Sequence, residues 1–218
     1  VDHEVRVLGD ADAVARAGAS VLAEAARAAI AERGAFVAAV SGGRTPWLAF
    51  GHLAAEPLDW ARVTLFQVDE RVAPDGDPDR NLTHLAACFA AVPVTLRPMA
   101  VAADDLTAAA AAYAASLPAR FDLVHLGLGP DGHTASLVPG DPILEVEGEL
   151  VGVTAPYLGH RRMTLTYPAL ARAARLVWLV TGDDKRDALA RLVAGDRSIP
   201  AGRVTAPVSL VVCDAAAR

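Results

Sequence analysis

In FDLVHLGLGPDGHTASLVPG, Phe121–Gly140, an apolar run of strand length ends in a loop holding three glycines, an aspartate and a histidine. The run Phe121 to Leu128 is nearly continuous in apolar residues, so it suits a strand covered on both faces, the usual condition in a parallel sheet. FVAAV (Phe36 to Val40), VTLFQV (Val63 to Val68) and LVWLVT (Leu176 to Thr181) have the same character. VRVL near the N-terminus and SLVVC near the C-terminus add shorter strands. Between them the periodicity predicts helices over Ala11 to Arg33, Pro46 to Ala54, Leu82 to Ala90, Asp104 to Leu117, Tyr167 to Ala174 and Asp183 to Val193. In the first of these, Val14, Val21, Leu22, Ala25 and Ala29 share a face that excludes Arg16, Glu24 and Arg27, and Gly34 supplies a stop. Alternating strands and helices predict an α/β fold, a mostly parallel sheet with helices on both faces joined by right-handed crossovers. Glu149 to Thr166 breaks the alternation and predicts a small additional strand region. With no internal repeat or linker, residues 1–218 read as one domain.

The bulk properties narrow the function. A chain of 218 residues that is 53% hydrophobic can bury a substantial core. Its net charge of −6, with both signs interspersed, leaves no basic stripe for nucleic acid. No apolar run is long enough for a bilayer, and VDHEVRVLGD lacks the pattern of a secretory signal, so a cytoplasmic protein is expected. Cys88 and Cys213 sit in apolar surroundings without metal-ligand spacing and read as buried thiols, with neither a zinc site nor a disulfide. Lys185 is the only lysine among twenty basic residues. It is either a solvated helix residue or a position where a flexible ammonium does what a guanidinium cannot.

Loops leaving the carboxyl ends of parallel strands share one edge, where ligands bind. After FVAAV comes SGGRTP: Ser41, Gly42 and Gly43 leave the backbone open, Thr45 can cap, Pro46 suits the first helical position, and Arg44 is near. This is an ordinary strand-to-helix turn or an anion cradle; without G-K-[ST] it is no nucleotide P-loop. After VTLFQV comes DERV, Asp69, Glu70 and Arg71, read either as mutual salt bridging on a solvated loop or as a functional acid–arginine set. After FDLVHLGL, Gly127, Gly129 and Gly132 imitate a dinucleotide fingerprint, but Asp131 would repel a pyrophosphate, so that reading is rejected. Asp131 instead can orient His133, leaving a ring nitrogen to take a proton from water, unless His133 is a surface residue at a helix start. After LVWLVT comes GDDK, which puts Lys185 in the first turn of a helix, where a cation needs a counter-anion such as phosphate.

SGGRTP, DERV, Asn81, GLGPDGHTASLVPG, RMTLTYPAL and VTGDDKRDAL together resemble the 6-phosphogluconolactonase family, within the group of sugar-phosphate isomerases and deaminases of the same fold. The resemblance implies a Rossmann-like three-layer sandwich and hydrolysis of 6-phospho-D-glucono-1,5-lactone to 6-phosphogluconate, in the oxidative pentose phosphate pathway. It implies no metal and no organic cofactor. On the matching positions, His133 is similar to the family's general base, oriented by Asp131. Arg71 would stabilise the tetrahedral intermediate, and Asp69 would contact substrate hydroxyls or water. Ser41, Gly42, Gly43, Arg44, Thr45 and Lys185 would hold the phosphate, with Arg162 closing the anion site. Ser41 has no partner histidine in sequence context and Ser136 follows a helix-start pattern, so no acyl-enzyme is expected.

The sequence departs from the family pattern at Ala73 and Arg80, where a proline and a serine are more usual; Arg80 reads as solvated. The nearest alternative is an aminosugar-phosphate deaminase or isomerase, whose members carry an acidic residue shortly after the histidine. Here none follows until Asp141. A non-catalytic sugar-phosphate sensor is the alternative from another class.

Overall fold

The inner strands are covered by two cores because successive side chains point to opposite faces, and that alternation organises the molecule. The computed structural model describes residues 2–218. Seven strands, β1 (His3–Leu8), β2 (Phe36–Val40), β3 (Val63–Gln67), β5 (Thr95–Arg97), β6 (Leu123–Leu126), β9 (Arg175–Val180) and β10 (Val208–Asp214), form a parallel sheet in the order β1-β10-β9-β6-β2-β3-β5. On one face, Ala38, Leu123, Val177 and Val212 pack against α1 (Ala11–Arg33), α2 (Arg44–Ala54) and α3 (Asn81–Cys88). On the other, Ala39, Val124, Trp178 and Val211 meet α4 (Leu106–Ser116), α5 (Tyr167–Leu170) and α6 (Arg186–Val193). Helix α1 is capped by Asp10, whose side chain accepts the Ala13 N–H at 2.8 Å. Among the described residues, no helix is long and apolar enough to cross a membrane.

A second, antiparallel sheet, β4 (Asp69–Arg71), β8 (Arg162–Leu165) and β7 (Val151–Val153) in the order β4-β8-β7, accounts for the segment that broke the alternation. Val68 is the junction between the sheets. Its N–H donates to Val40 O at 3.0 Å in the large sheet, and its carbonyl accepts the Leu165 N–H at 2.8 Å in the small one. The large sheet reverses its order of addition beside β2, which pairs with β3 on one side and β6 on the other. The loops after β2 and β6 therefore diverge, and a crevice opens between them.

Several local expectations are corrected. DERV is no solvated loop: Asp69 to Arg71 are a strand paired with Arg162 to Thr164. The helix expected over Tyr167 to Ala174 ends at Leu170, because Ala173 bridges to Phe121. Helix α2 begins at Arg44, before Pro46, with Gly43 at its cap and no side-chain cap; Thr45 Oγ1 instead bonds Thr181 Oγ1 at 2.7 Å. No helix starts at His133 or Ser136: His133 lies in irregular loop and Ser136 in a turn. Lys185 ends a 3-10 turn, Asp183–Lys185, that leads into α6. Cys213 is buried as expected, whereas Cys88 is only partly so.

Candidate active site

Because the crevice lies where the strand order reverses and the small sheet roofs it, residues from five segments converge on one cavity of about 170 Å³. Ser41 and Gly42 arrive after β2, Gly129 and His133 after β6, and Lys185 after β9. Strand β4 contributes Asp69 and Arg71, and β8 contributes Arg162. Three cations thus face one buried carboxylate, a balance that favours an anionic ligand. Two buried polar atoms of this lining, Ser41 Oγ and Arg162 Nε, have no hydrogen-bond partner among the described residues. Of the residues expected here, Gly43, Arg44 and Thr45 do not line the cavity: Gly43 caps α2, Arg44 is exposed, and Thr45 is buried against Thr181.

Asp131 stands behind His133 and defines its tautomer. Asp131 Oδ1 lies 2.6 Å from His133 Nδ1 and also accepts the His133 backbone N–H at 3.1 Å. A carboxylate only accepts, so Nδ1 carries the proton and the neutral imidazole keeps its lone pair on Nε2. Burial opposes the Asp131 charge, but the His133 backbone N–H and the imidazole outweigh it and hold the carboxyl below its ordinary range. The close seat of His133 depends on Gly129, since a Cβ there would lie 2.0 Å from Nδ1.

On the other wall, Asp69 is buried, and burial raises its carboxyl above the usual range. Its hydrogen bond from Ser136 and the charges of Arg162 and Arg71 oppose the rise, while Glu70 adds to it. Ser136 Oγ donates to Asp69 Oδ2 at 2.6 Å, so this hydroxyl is committed to a carboxylate. Glu70 faces away from the cavity and acts as an anchor. Its oxygens accept from Gln67 Nε2 and from the backbone N–H groups of Arg71, Asn81 and Leu82, all at 2.7–2.8 Å. It therefore satisfies donors at the start of α3 and ties them to β4. Arg71 is held in turn by Asp79 O at 2.7 Å and Asn81 Oδ1 at 3.2 Å.

Arg80 corrects the expectation of a solvated residue. Its side chain is 3% exposed, its Nε lies 3.5 Å from Glu70 Oε2, and its guanidinium also pairs with Asp75. A buried guanidinium requires such partners. It fixes the Ala73 to Asn81 loop from inside, and through that loop the carbonyl that holds Arg71.

Three residues near the site escaped the sequence reading. Asn81 stood in the motifs without a role, yet its Nδ2 donates to Asp69 O at 2.9 Å. Tyr157 reaches Asp131 from the turn before β8, 26 residues away in the chain. His125, a lone imidazole in an apolar run, lies fully buried on β6, and its Nδ1 accepts the Ser41 N–H at 3.3 Å. That break in the run was its signal.

Burial pushes His125 down to about 3, so it is neutral in the folded protein. The unfolded chain binds a proton near pH 6.5. Between these values the unfolded state holds more protons, and stability is complete above about pH 6.5 and declines as pH falls toward 3, by about 1.4 kcal/mol per pH unit for this group. Denaturant unfolding at pH 7 and pH 5 should show a smaller loss in His125→Leu than in the unsubstituted protein. An equal loss would assign the acid sensitivity to other groups.

The chain is similar to known proteins in sequence and in fold. The family model described as glucosamine-6-phosphate isomerases/6-phosphogluconolactonase matches residues 9–213. The chain is 38% identical to a 6-phosphogluconolactonase of Streptomyces coelicolor, over 92% of this chain and 84% of that protein. It is 37% identical to one of Pseudomonas putida, over 88% and 84%. The crystal structure of 6-phosphogluconolactonase from Thermotoga maritima superposes with a TM-score of 0.89 at 24% identity, covering 98% of this chain and all of that one, a likeness of fold.

Proposed function

Given that the chain belongs to the glucosamine-6-phosphate isomerase and 6-phosphogluconolactonase family, we propose that it hydrolyses 6-phospho-D-glucono-1,5-lactone to 6-phosphogluconate. The observation that carries this reading is the Asp131–His133 pair, 2.6 Å apart, beside a cavity shared by Arg71, Arg162 and Lys185. Such a site can activate water next to a bound anion without forming a covalent intermediate on the protein.

On this reading His133 Nε2 takes a proton from water as its oxygen attacks the C1 carbonyl. The carbonyl electron pair moves to oxygen, and the resulting oxyanion is stabilised by Arg71. Collapse re-forms the carbonyl and breaks the bond between C1 and the ring oxygen. The imidazolium returns its proton to that oxygen, so His133 ends as it began, and the new carboxylic acid ionises. Asp131 stabilises the transient imidazolium, and Asp69 accepts from a sugar hydroxyl. Ser41 Oγ, the open backbone at Gly42 and Lys185 grip the phosphate, and Arg162 closes the anion site. Ser136 is given no nucleophilic role, because its hydroxyl is committed to Asp69, the group assigned to a sugar hydroxyl.

Thr134, Ala135, Ser136 and Leu137 follow His133 without a carboxylate, which favours lactone hydrolysis over ring opening of an aminosugar phosphate. The test is the rate of lactone loss above its spontaneous rate, set beside ammonia release from glucosamine 6-phosphate. Ammonia release without accelerated lactone loss would replace the proposal by the deaminase reading.

Lys185 Nζ rests 3.0 Å from Asp184 Oδ2 at the cavity rim. Phosphate contacts exist in ground and transition states alike, so Lys185→Ala should raise KM roughly tenfold while kcat changes less. An unchanged KM in steady-state kinetics would remove this lysine from the phosphate site.

A further inference from the structure

The hairpin turn before β8 puts an aromatic ring against the groups that perform the proposed chemistry. Tyr157 and His160 close the turn, with Tyr157 N–H to His160 O at 2.9 Å and His160 N–H to Tyr157 O at 3.3 Å. Its central residues, Leu158 and Gly159, both have positive φ, 49° and 85°, the geometry of a tight two-residue hairpin turn. The turn is anchored at its far end too, since His160 Nε2 lies 3.2 Å from Asp79 Oδ2. Tyr157 is thereby held in place even though Leu158 at the tip is 77% exposed.

From this position Tyr157 makes three contacts. Its hydroxyl donates to Asp131 Oδ2 at 3.3 Å, the oxygen His133 does not use. Its ring meets the His133 imidazole edge-on, with centroids 5.7 Å apart. The Arg162 guanidinium lies over the same ring, 5.3 Å from its centre. One side chain therefore touches the carboxylate, the imidazole and the cation at once.

We propose that Tyr157 is a positioning residue for the Asp131–His133 pair: its hydroxyl saturates the second carboxylate oxygen and its ring sets the plane of the imidazole and the seat of Arg162. A donor on Oδ2 draws charge from the carboxylate and moderates how strongly Oδ1 favours the imidazolium. Removing only that donor makes His133 more basic, and removing the ring also frees Arg162. The assignment rests on His133 being the base, but its first test needs no turnover.

That test is a pH titration of the histidine ring signals by NMR in the full chain, with the His133 signal identified by its loss in His133→Ala. In Tyr157→Phe the His133 midpoint should rise by roughly half a pH unit. The other charged groups sharing its cavity are unchanged: Asp69 and Arg71 on β4, Arg162 on β8 and Lys185 after β9. The Asp79–His160 contact that anchors the turn is also unchanged. In kinetics, Tyr157→Phe should lower kcat roughly threefold to tenfold with KM nearly constant, whereas Tyr157→Ala should raise KM as well. A His133 midpoint unmoved in Tyr157→Phe would overturn the proposal and leave the tyrosine as a wall of the cleft. Absence of lactone hydrolysis in the unsubstituted protein would instead strike the proposed function, with the titration shift still standing.

Discussion

His133→Ala is expected to lower kcat by roughly 10²- to 10⁴-fold while KM changes little. Imidazole is a side-chain type suited both to accept a proton and to return it within the same turnover, and His133 brings one to the cavity. Its only assigned contact with the reactants is the proton in flight, so its loss falls on the transition state and spares phosphate binding. The lactone opens spontaneously, and the measurement is therefore the enzyme-dependent increment at several substrate concentrations. Protection of the variant by 6-phosphogluconate against thermal unfolding should persist, showing that the phosphate grip survives. A variant retaining a third of the activity would rule out His133 as the base. Retained ligand response with no catalysis in the unsubstituted protein either would point to the sensor alternative.

Gly129→Ala should be nearly as damaging, although it leaves every catalytic group in the chain. The added Cβ would lie 2.0 Å from His133 Nδ1, 2.1 Å from Cε1 and 2.7 Å from Cγ, so the whole ring must leave its place. The backbone does not bar an alanine here, because Gly129 is not among the glycines with positive φ. The expected cost is geometric. A displaced imidazole loses the 2.6 Å bond to Asp131 and its aim at the water, and an error of about 1 Å at a reacting group costs about 10²-fold in rate. Circular dichroism and Tm should change little, because the clash is with a partly exposed side chain in a loop rather than with the core. Activity within threefold of the unsubstituted protein would show that the observed seat of His133 is not the one used in catalysis.

How much of this was legible in the sequence follows from how each residue is stabilised. The long strands were readable because burial on both faces leaves continuous apolar runs, and the sheet edge followed from the alternation. Strand β4 was not, because Asp69, Glu70 and Arg71 carry no apolar signal and their strand exists through pairing with β8, some ninety residues away. Strand β5, three residues whose side chains are largely exposed at the sheet edge, was missed for the related reason that it buries too little to be patterned. Arg80 looked solvated because it follows a run of aspartates, prolines and a glycine; its partner Glu70 is visible only after the loop has folded back. At the cavity, the motifs drew attention to His133, Asp131, Arg71, Arg162 and Lys185. The anion cradle was read too widely, since Arg44 and Thr45 turn elsewhere once α2 begins two residues earlier than expected. Tyr157 carried no motif, as its partners come from a different loop.

The junction at Val68, where one residue's N–H belongs to the large sheet and its carbonyl to the small one, makes the molecule a caliper. Its fixed jaw is the large sheet, with Ser41, Gly42, His133 and Lys185; its other jaw is the small sheet, with Asp69, Arg71 and Arg162. On the proposed assignments, a substrate in the gap would touch both jaws, with its phosphate and the attacking water served from the large-sheet side. The spacing of the two jaws follows from the Val68 backbone, so a change of side chain at either jaw alters the lining of the gap without altering how the sheets are joined.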